Sequence, residues 1–352
     1  NAVTAGPSHA AALRSDKTLW TWGSNSTGQL GINTSITDLG VFVSQQSSPV
    51  QVGSAGTWSN AKAGNDYTVA LTNTNAVYAW GLNTSYQTGT TGAGNVVSSP
   101  VQVGALTDWL KASAGYSHSL AIKTDGTLWS WGRNNFGQLG LGNAINYSSP
   151  QQVGALTNWL SVSCGGYHTV SIKTDGTIWS WGYNGFGQLG LGNTTDYSSP
   201  KQVGALTNWL SVSCGGYYTV SIKTDGTLWS WGRNNNGQLG LGNITNYSSP
   251  MQVGALTTWS SVACGQSYTV SIKTDGTLWS WGNNGYGPLG QGNTTNYSSP
   301  KQVGALTNWL SVSCGYAHNV SIKTDGTLWS WGANNDGQLG QGNTTNYSSP
   351  KQ

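Results

Sequence analysis

The stretch SIKTDGTIWSWG, residues 171–182, decides the fold. It recurs with one Ile-to-Leu change at 221–232, 271–282 and 321–332, and as AIKTDGTLWSWG at 121–132. Two short runs of β-branched and aromatic residues flank Asp175-Gly176, which reads as a β-hairpin closed by a tight primed turn with positive φ angles. Trp179 and Trp181 lie two apart and project from one face of the pleat. Each indole buries roughly 150–250 Å² when enclosed. Both are therefore expected to be largely buried, with the next copy of the hairpin as the apolar partner.

Working outward, Trp-Gly pairs begin at Trp22, Trp80, Trp131, Trp181, Trp231, Trp281 and Trp331. Ser-Ser-Pro ends at Pro49, Pro100, Pro150, Pro200, Pro250, Pro300 and Pro350, so seven repeats close near those positions within one domain spanning 1–352. The first repeat carries a longer segment over 32–46, and the second replaces GQLG by QTGTTGAGN. Each repeat reads as four strands, exemplified by a (159–165), b (168–174), c (177–182) and d (198–203). Small Ser, Cys and Gly residues suit strand a to a crowded centre. The Pro and variable polar residues of strand d suit an exposed edge. The expected fold is all-β, a seven-bladed propeller of four-stranded antiparallel blades. Its termini are expected to meet, either as two whole blades in contact or with the last strand d completing the first blade.

Composition narrows function. Charged residues are 7%, Glu is absent, Trp numbers 19, and the net charge is only +3. Nucleic-acid and anionic-membrane partners are disfavoured, and no stretch is apolar enough for membrane insertion. The eleven acidic residues are all Asp, six of them (Asp16, Asp125, Asp175, Asp225, Asp275, Asp325) in the hairpin turns. Asp38, Asp66, Asp108, Asp196 and Asp336 form no recurring pair, so a two-carboxylate hydrolase site is not expected. Cys164, Cys214, Cys264 and Cys314 share one repeat position with Ala5, Ala63 and Ala114; buried packing explains them better than a metal or disulfide ring. His9, His118, His168 and His318 share a position with Tyr67, Tyr218 and Tyr268, which points to a structural hydrogen-bonding role over a polar axial channel. No cofactor, metal or catalytic residue is expected.

The pattern G-x-x-[HY]-T-V-S-I-K-T-D-G-T-L-W-S-W-G-x-N-x-x-G-Q-L-G resembles the repeat of the regulator of chromosome condensation family. That resemblance implies a seven-bladed propeller and functions as different as GTPase nucleotide exchange, UV-B reception and enzyme inhibition. The Trp residues that a UV-B receptor carries between the repeat Gly and His are replaced by Gly166-Tyr167, Gly216-Tyr217, Gln266-Ser267 and Tyr316-Ala317, which speaks against light sensing.

Repeats four to seven differ from one another mainly in the a–b link and at the start of the c–d link, which an up-and-down sheet places on one rim. These positions are rich in Tyr, Phe, Arg and Asn, as recognition surfaces are. The expected site is a partner-binding face of Tyr116, Arg133, Phe136, Tyr167, Tyr183, Phe186, Tyr217, Arg233, Tyr286 and Tyr316. The function expected is non-enzymatic recognition of a protein or glycan surface. The alternative is regulation of a small GTPase. The Asn/Ser/Thr/Gly-rich strands suggest an extracellular, cell-surface or virion-associated protein of bacterial or phage origin.

Overall fold

The computed structural model describes residues 2–33, 44–54, 56–92 and 94–352, so most of the long segment in the first repeat lies outside the described residues. The described residues contain 28 strands and no helix. They form seven four-stranded antiparallel sheets, each built from strands consecutive in sequence. In the fourth blade the strands are Trp159–Cys164, His168–Lys173, Ile178–Gly182 and Tyr197–Gln202. Strand a packs against strand a of both neighbouring blades and is therefore innermost; strand d is outermost.

The ring closes between whole blades. The last strand, Tyr347–Lys351, pairs only with strand c of its own repeat, and Ala2–Ala5 is the inner strand of the first blade. Across this seam Ala5 N donates to Ser313 Oγ at 3.0 Å, and Gly342 N donates to Ser47 O at 2.7 Å.

Between blades the core is made by the second Trp of strand c. Trp181 is fully buried among Leu120, Ile122, Leu128 and Val153 of the preceding blade and Trp159 of its own. Its Nε1 donates to Gln138 O of the preceding blade at 2.9 Å. The same bond is made by Trp22, Trp80, Trp131, Trp281 and Trp331. Close approach explains the adjoining glycines. Gly182 has φ +101°, and a Cβ there would meet Tyr167 O at 2.6 Å; a Cβ on Gly140 would meet Trp181 Nε1 at 2.8 Å.

Trp179 is less deeply buried than Trp181 and packs against the edge of the same cluster. One expectation about the hairpin is corrected: the turn is not a primed one, since only Gly176 has positive φ (+76°) while Asp175 does not. Gly176 N donates to Lys173 O and Lys173 N to Thr177 O, giving a three-residue loop that ends in a left-handed glycine. The Asp side chain serves a different purpose. Trp179 Nε1 donates to Thr177 Oγ1 at 2.9 Å, and Thr177 Oγ1 and N donate to Asp175 Oδ1 at 2.6 and 2.9 Å. The relay recurs through Asp16, Asp125, Asp225, Asp275 and Asp325. Uniformity of the KTDGT turn thus has a structural cause of its own.

The candidate recognition rim

The side chains of the rim are presented by a braced c–d loop. Asn184 Oδ1 accepts from Leu189 N at 2.9 Å, its Nδ2 donates to Asn193 O at 3.0 Å, and Gln188 Oε1 accepts from Phe186 N at 3.0 Å. Tyr183 N donates to Tyr167 O at 2.9 Å, which ties the a–b link to the c–d link of the same blade. With their backbones fixed in this way, Tyr167, Tyr183 and Phe186 are held side by side.

Eight of the ten sequence-predicted residues form one patch over blades three to five. Tyr116 packs edge-on against Tyr167 at 5.4 Å, Phe136 against Tyr167 at 5.5 Å and Tyr183 at 5.0 Å. Tyr217 joins through Tyr167 (5.9 Å), Tyr183 (6.0 Å) and Phe186 (5.4 Å). Arg133 lies over Tyr167 at 5.5 Å, and Arg233 over Phe186 at 5.1 Å and Tyr217 at 5.9 Å. All eight are half-buried: each ring is gripped by its neighbours and keeps an outward face. Burial raises the Tyr116 and Tyr217 hydroxyls above the ordinary tyrosine range. Tyr286 and Tyr316 make none of these ring contacts and are half exposed, at 50% and 51%. Tyr316 instead lines the mouth of a narrow axial well of about 90 Å³, together with Tyr116 and Gln266.

The histidines do not line that well, in keeping with the structural role expected of them. The wall of the well is Ala5, Ala63, Ala114 and the four cysteines, while the histidines lie outside it, buried between blades. His9, His118 and His168 each bond through Nε2 to a Thr hydroxyl of the next blade, at 2.9, 3.2 and 3.1 Å. At the same position Tyr67 OH donates to His118 O at 2.6 Å, Tyr218 OH to Tyr268 O, and Tyr268 OH to His318 O at 2.7 Å. His and Tyr interchange because either ring reaches the next blade. The cysteines are unpaired, and burial pushes the Cys164 and Cys264 thiols up to about 12. No group of metal ligands occurs among the described residues.

One feature of the rim was invisible in sequence. Asp66, in the a–b link of blade two, and Asp336, in the c–d link of blade seven, come close enough to repel each other. Burial and the Asp336 charge push Asp66 up to about 6, and burial raises Asp336 as well. The two residues lie 270 positions apart in different links, so no spacing rule joins them. The rim is therefore polarised, aromatic and cationic over blades three to five and acidic where blades seven, one and two meet.

Comparison with known proteins agrees with this architecture. An RCC1-like domain model matches residues 1–221, and regulator of chromosome condensation (RCC1) repeat models match 225–272, 275–322 and 325–352. The chain belongs to the RCC1-like propeller family. It is 32% identical over 150 residues to the ultraviolet-B receptor UVR8 of Arabidopsis thaliana, covering 41% of this chain and 32% of that protein. It is 34% identical over 142 residues to the probable E3 ubiquitin-protein ligase HERC6 of Homo sapiens, covering 40% of this chain and 13% of that protein. The chain thus spans a third or less of these relatives, and no whole-protein activity transfers with the match. Human WBSCR16 superposes with a TM-score of 0.84 at 25% identity, covering 95% and 93% of the two chains. Prp20p of Saccharomyces cerevisiae, whose structure was described with its binding to Gsp1p and histones, gives 0.80 at 22% identity, covering 91% and 81%. These relatives are plant, human and yeast proteins and lend no support to a bacterial or phage origin.

Proposed function

We propose that the protein is a non-catalytic recognition propeller that binds a protein partner through the rim carrying the a–b and c–d links. The observation that supports this most is the continuous patch of six aromatic rings with two arginines stacked on them. Stacked, half-buried rings lose little side-chain entropy on binding, and Arg and Tyr are the residues enriched in binding hot spots. The uniform opposite rim, by contrast, is accounted for by the Asp-Thr-Trp relay and adds nothing to the argument. A partner fitting this face places apolar groups and carboxylates over blades three to five and basic groups near Asp66 and Asp336. The glycan reading draws no support from the relatives and is set aside.

The test compares proteins retained by the immobilised wild type with those retained by Tyr167→Ala/Phe186→Ala/Arg233→Ala and by the opposite-rim control Thr174→Ala/Thr224→Ala. Partners kept by the control and lost by the triple variant carry the reading; equal retention by all three sinks it. Accelerated nucleotide release from a captured small GTPase, abolished by the same triple variant, would move the reading to the GTPase-regulator class.

A further inference from the structure

Away from the rim, on the outer flank, a groove opens at successive blade junctions. Those at junctions three–four, four–five and five–six measure about 370, 390 and 370 Å³. The first is lined by Leu141, Val153, Leu156, Trp159, Trp179 and Pro200, with Lys173 in its wall. Residues with the same repeat numbering, Leu191, Val203, Leu206, Trp209, Trp229 and Pro250, line the second. Leu156 and Leu206 are each 49% exposed.

Lys173 has a nearly buried counterpart at the same repeat position in each of blades five, six and seven. Lys173, Lys223, Lys273 and Lys323 are 5–8% exposed, with Nζ 3.5–3.7 Å from the centroid of one indole and 4.8–5.0 Å from a second. Indole faces stabilise an ammonium but do not neutralise it. None of the four makes a salt bridge among the described residues. The nearest carboxylates, Asp175 and its equivalents, are outside salt-bridge distance and hold the turn threonines. Trp159, Trp209 and Trp259, whose rings line the three grooves, each bury an Nε1 donor with no acceptor.

The third blade shows what is missing. There the residue before the strand-a Trp is Asp108, whose carboxylate lies 3.3 Å from Lys123 Nζ. In blades four, five and seven the residue is Asn158, Asn208 or Asn308, and in blade six Thr258. The site is the same, but its internal counterion has been removed.

We propose that these grooves are a set of equivalent docking sites for an extended protein segment bearing a carboxylate next to apolar side chains. The carboxylate neutralises the lysine of blades four to six, and the neighbouring apolar side chains cover Leu156, Trp159 and Trp179 or their equivalents. Charge complementarity selects the carboxylate, and groove volumes well beyond the size of a bare anion select a side chain over an inorganic ion. Sites spaced by one blade suit a partner that presents the same short segment repeatedly, since linked segments gain from effective concentration. This inference does not depend on the rim.

The test titrates acetyl-Leu-Asp-Leu-amide and its isostere acetyl-Leu-Asn-Leu-amide into the full chain, following Trp fluorescence and the lysine side-chain NMR signals at constant ionic strength. Saturable binding of the Asp peptide is expected, about tenfold tighter than the Asn peptide, equivalent to roughly 1.4 kcal/mol. The variant Asn158→Asp/Asn208→Asp/Thr258→Asp/Asn308→Asp restores the arrangement that blade three already has, so the fold tolerates it, and it should lose that tenfold. Tyr167→Ala/Phe186→Ala/Arg233→Ala should bind the peptide as the wild type does. No saturable binding, equal binding of the two peptides, full binding by the quadruple variant, or equal binding of acetate alone would each overturn the proposal.

Discussion

The single residues that respond most to solution conditions are the four inter-blade histidines. Burial is the main cause that drives their pKa down, helped by a neighbouring histidine at His168 and His318: His9 falls to about 4 and His118, His168 and His318 to about 3. In the unfolded chain each titrates near 6.5. Between those values the unfolded state binds more protons, so stability falls as pH drops below about 6.5, by up to roughly 1.4 kcal/mol per pH unit for each histidine. Asp66 works in the opposite sense. Its folded pKa is raised, so its contribution is present below the unfolded value and is lost as pH rises through about 6. The turn aspartates are depressed by their Thr177-type hydrogen bonds, so their contribution holds above the unfolded value near 4 and is lost only at lower pH. Net, the melting temperature should fall steeply from pH 6.5 to 4.5. The repeats themselves supply the control, because Tyr occupies this position at 67, 218 and 268. His118→Tyr/His168→Tyr should flatten the slope measured by thermal unfolding across that range. An unchanged slope would show that other groups carry the acid sensitivity.

Among elements, strand c sets the blade interface, and its two tryptophans differ in what they do. Trp181 combines complete burial with a bond across to Gln138 O, so Trp181→Ala should cost about 3–5 kcal/mol. Trp179 is half-buried, and its Nε1 serves only the local relay, so Trp179→Ala should cost clearly less. Chemical denaturation of the two variants checks the order, and equal losses would contradict the division of labour. Strand order, blade number and the sharing of one rim by Tyr167 and Tyr183 were legible because the fifty-residue period and the two-residue pleat leave few arrangements open. The difference between Trp179 and Trp181 was not, since alternation gives the face of a side chain but not how far along the strand the neighbouring blade reaches. Nor was the turn type, because Asp-Gly suits a three-residue loop as well as a two-residue one. Clustering of eight rim residues followed from link identity. Tyr286 makes no ring contact because blade seven has Ala317 where blades four and five present Tyr167 and Tyr217 to Phe136 and Phe186.

For the whole molecule, the question is what holds a ring whose first and last blades share no strand. The seam reproduces most of the other junctions, including the Trp22 Nε1 bond to Gln338 O at 2.9 Å. One bond is missing. At the other junctions that begin with a histidine, Nε2 meets Thr68, Thr169 or Thr219 of the next blade. At the seam the equivalent residue is Ala10, and both ring nitrogens of His318 are buried without a partner. A buried polar atom left unsatisfied costs more than a made bond gains, so the seam carries a penalty that the His9, His118 and His168 contacts escape. Ala10→Thr should restore the bond and stabilise the ring by roughly 1 kcal/mol, a rise in melting temperature of about 1–2 °C. Because Ala10 is fully buried, added bulk has its own cost, and Ala10→Val carries the same bulk without the hydroxyl. The difference in melting temperature between the Thr and Val variants therefore reads the hydrogen bond alone. Thr above Val is the expected order, with the gap closing when His318 is replaced by Phe. Val equal to or above Thr would mean that the seam is closed by packing and that the unpartnered His318 costs the ring nothing.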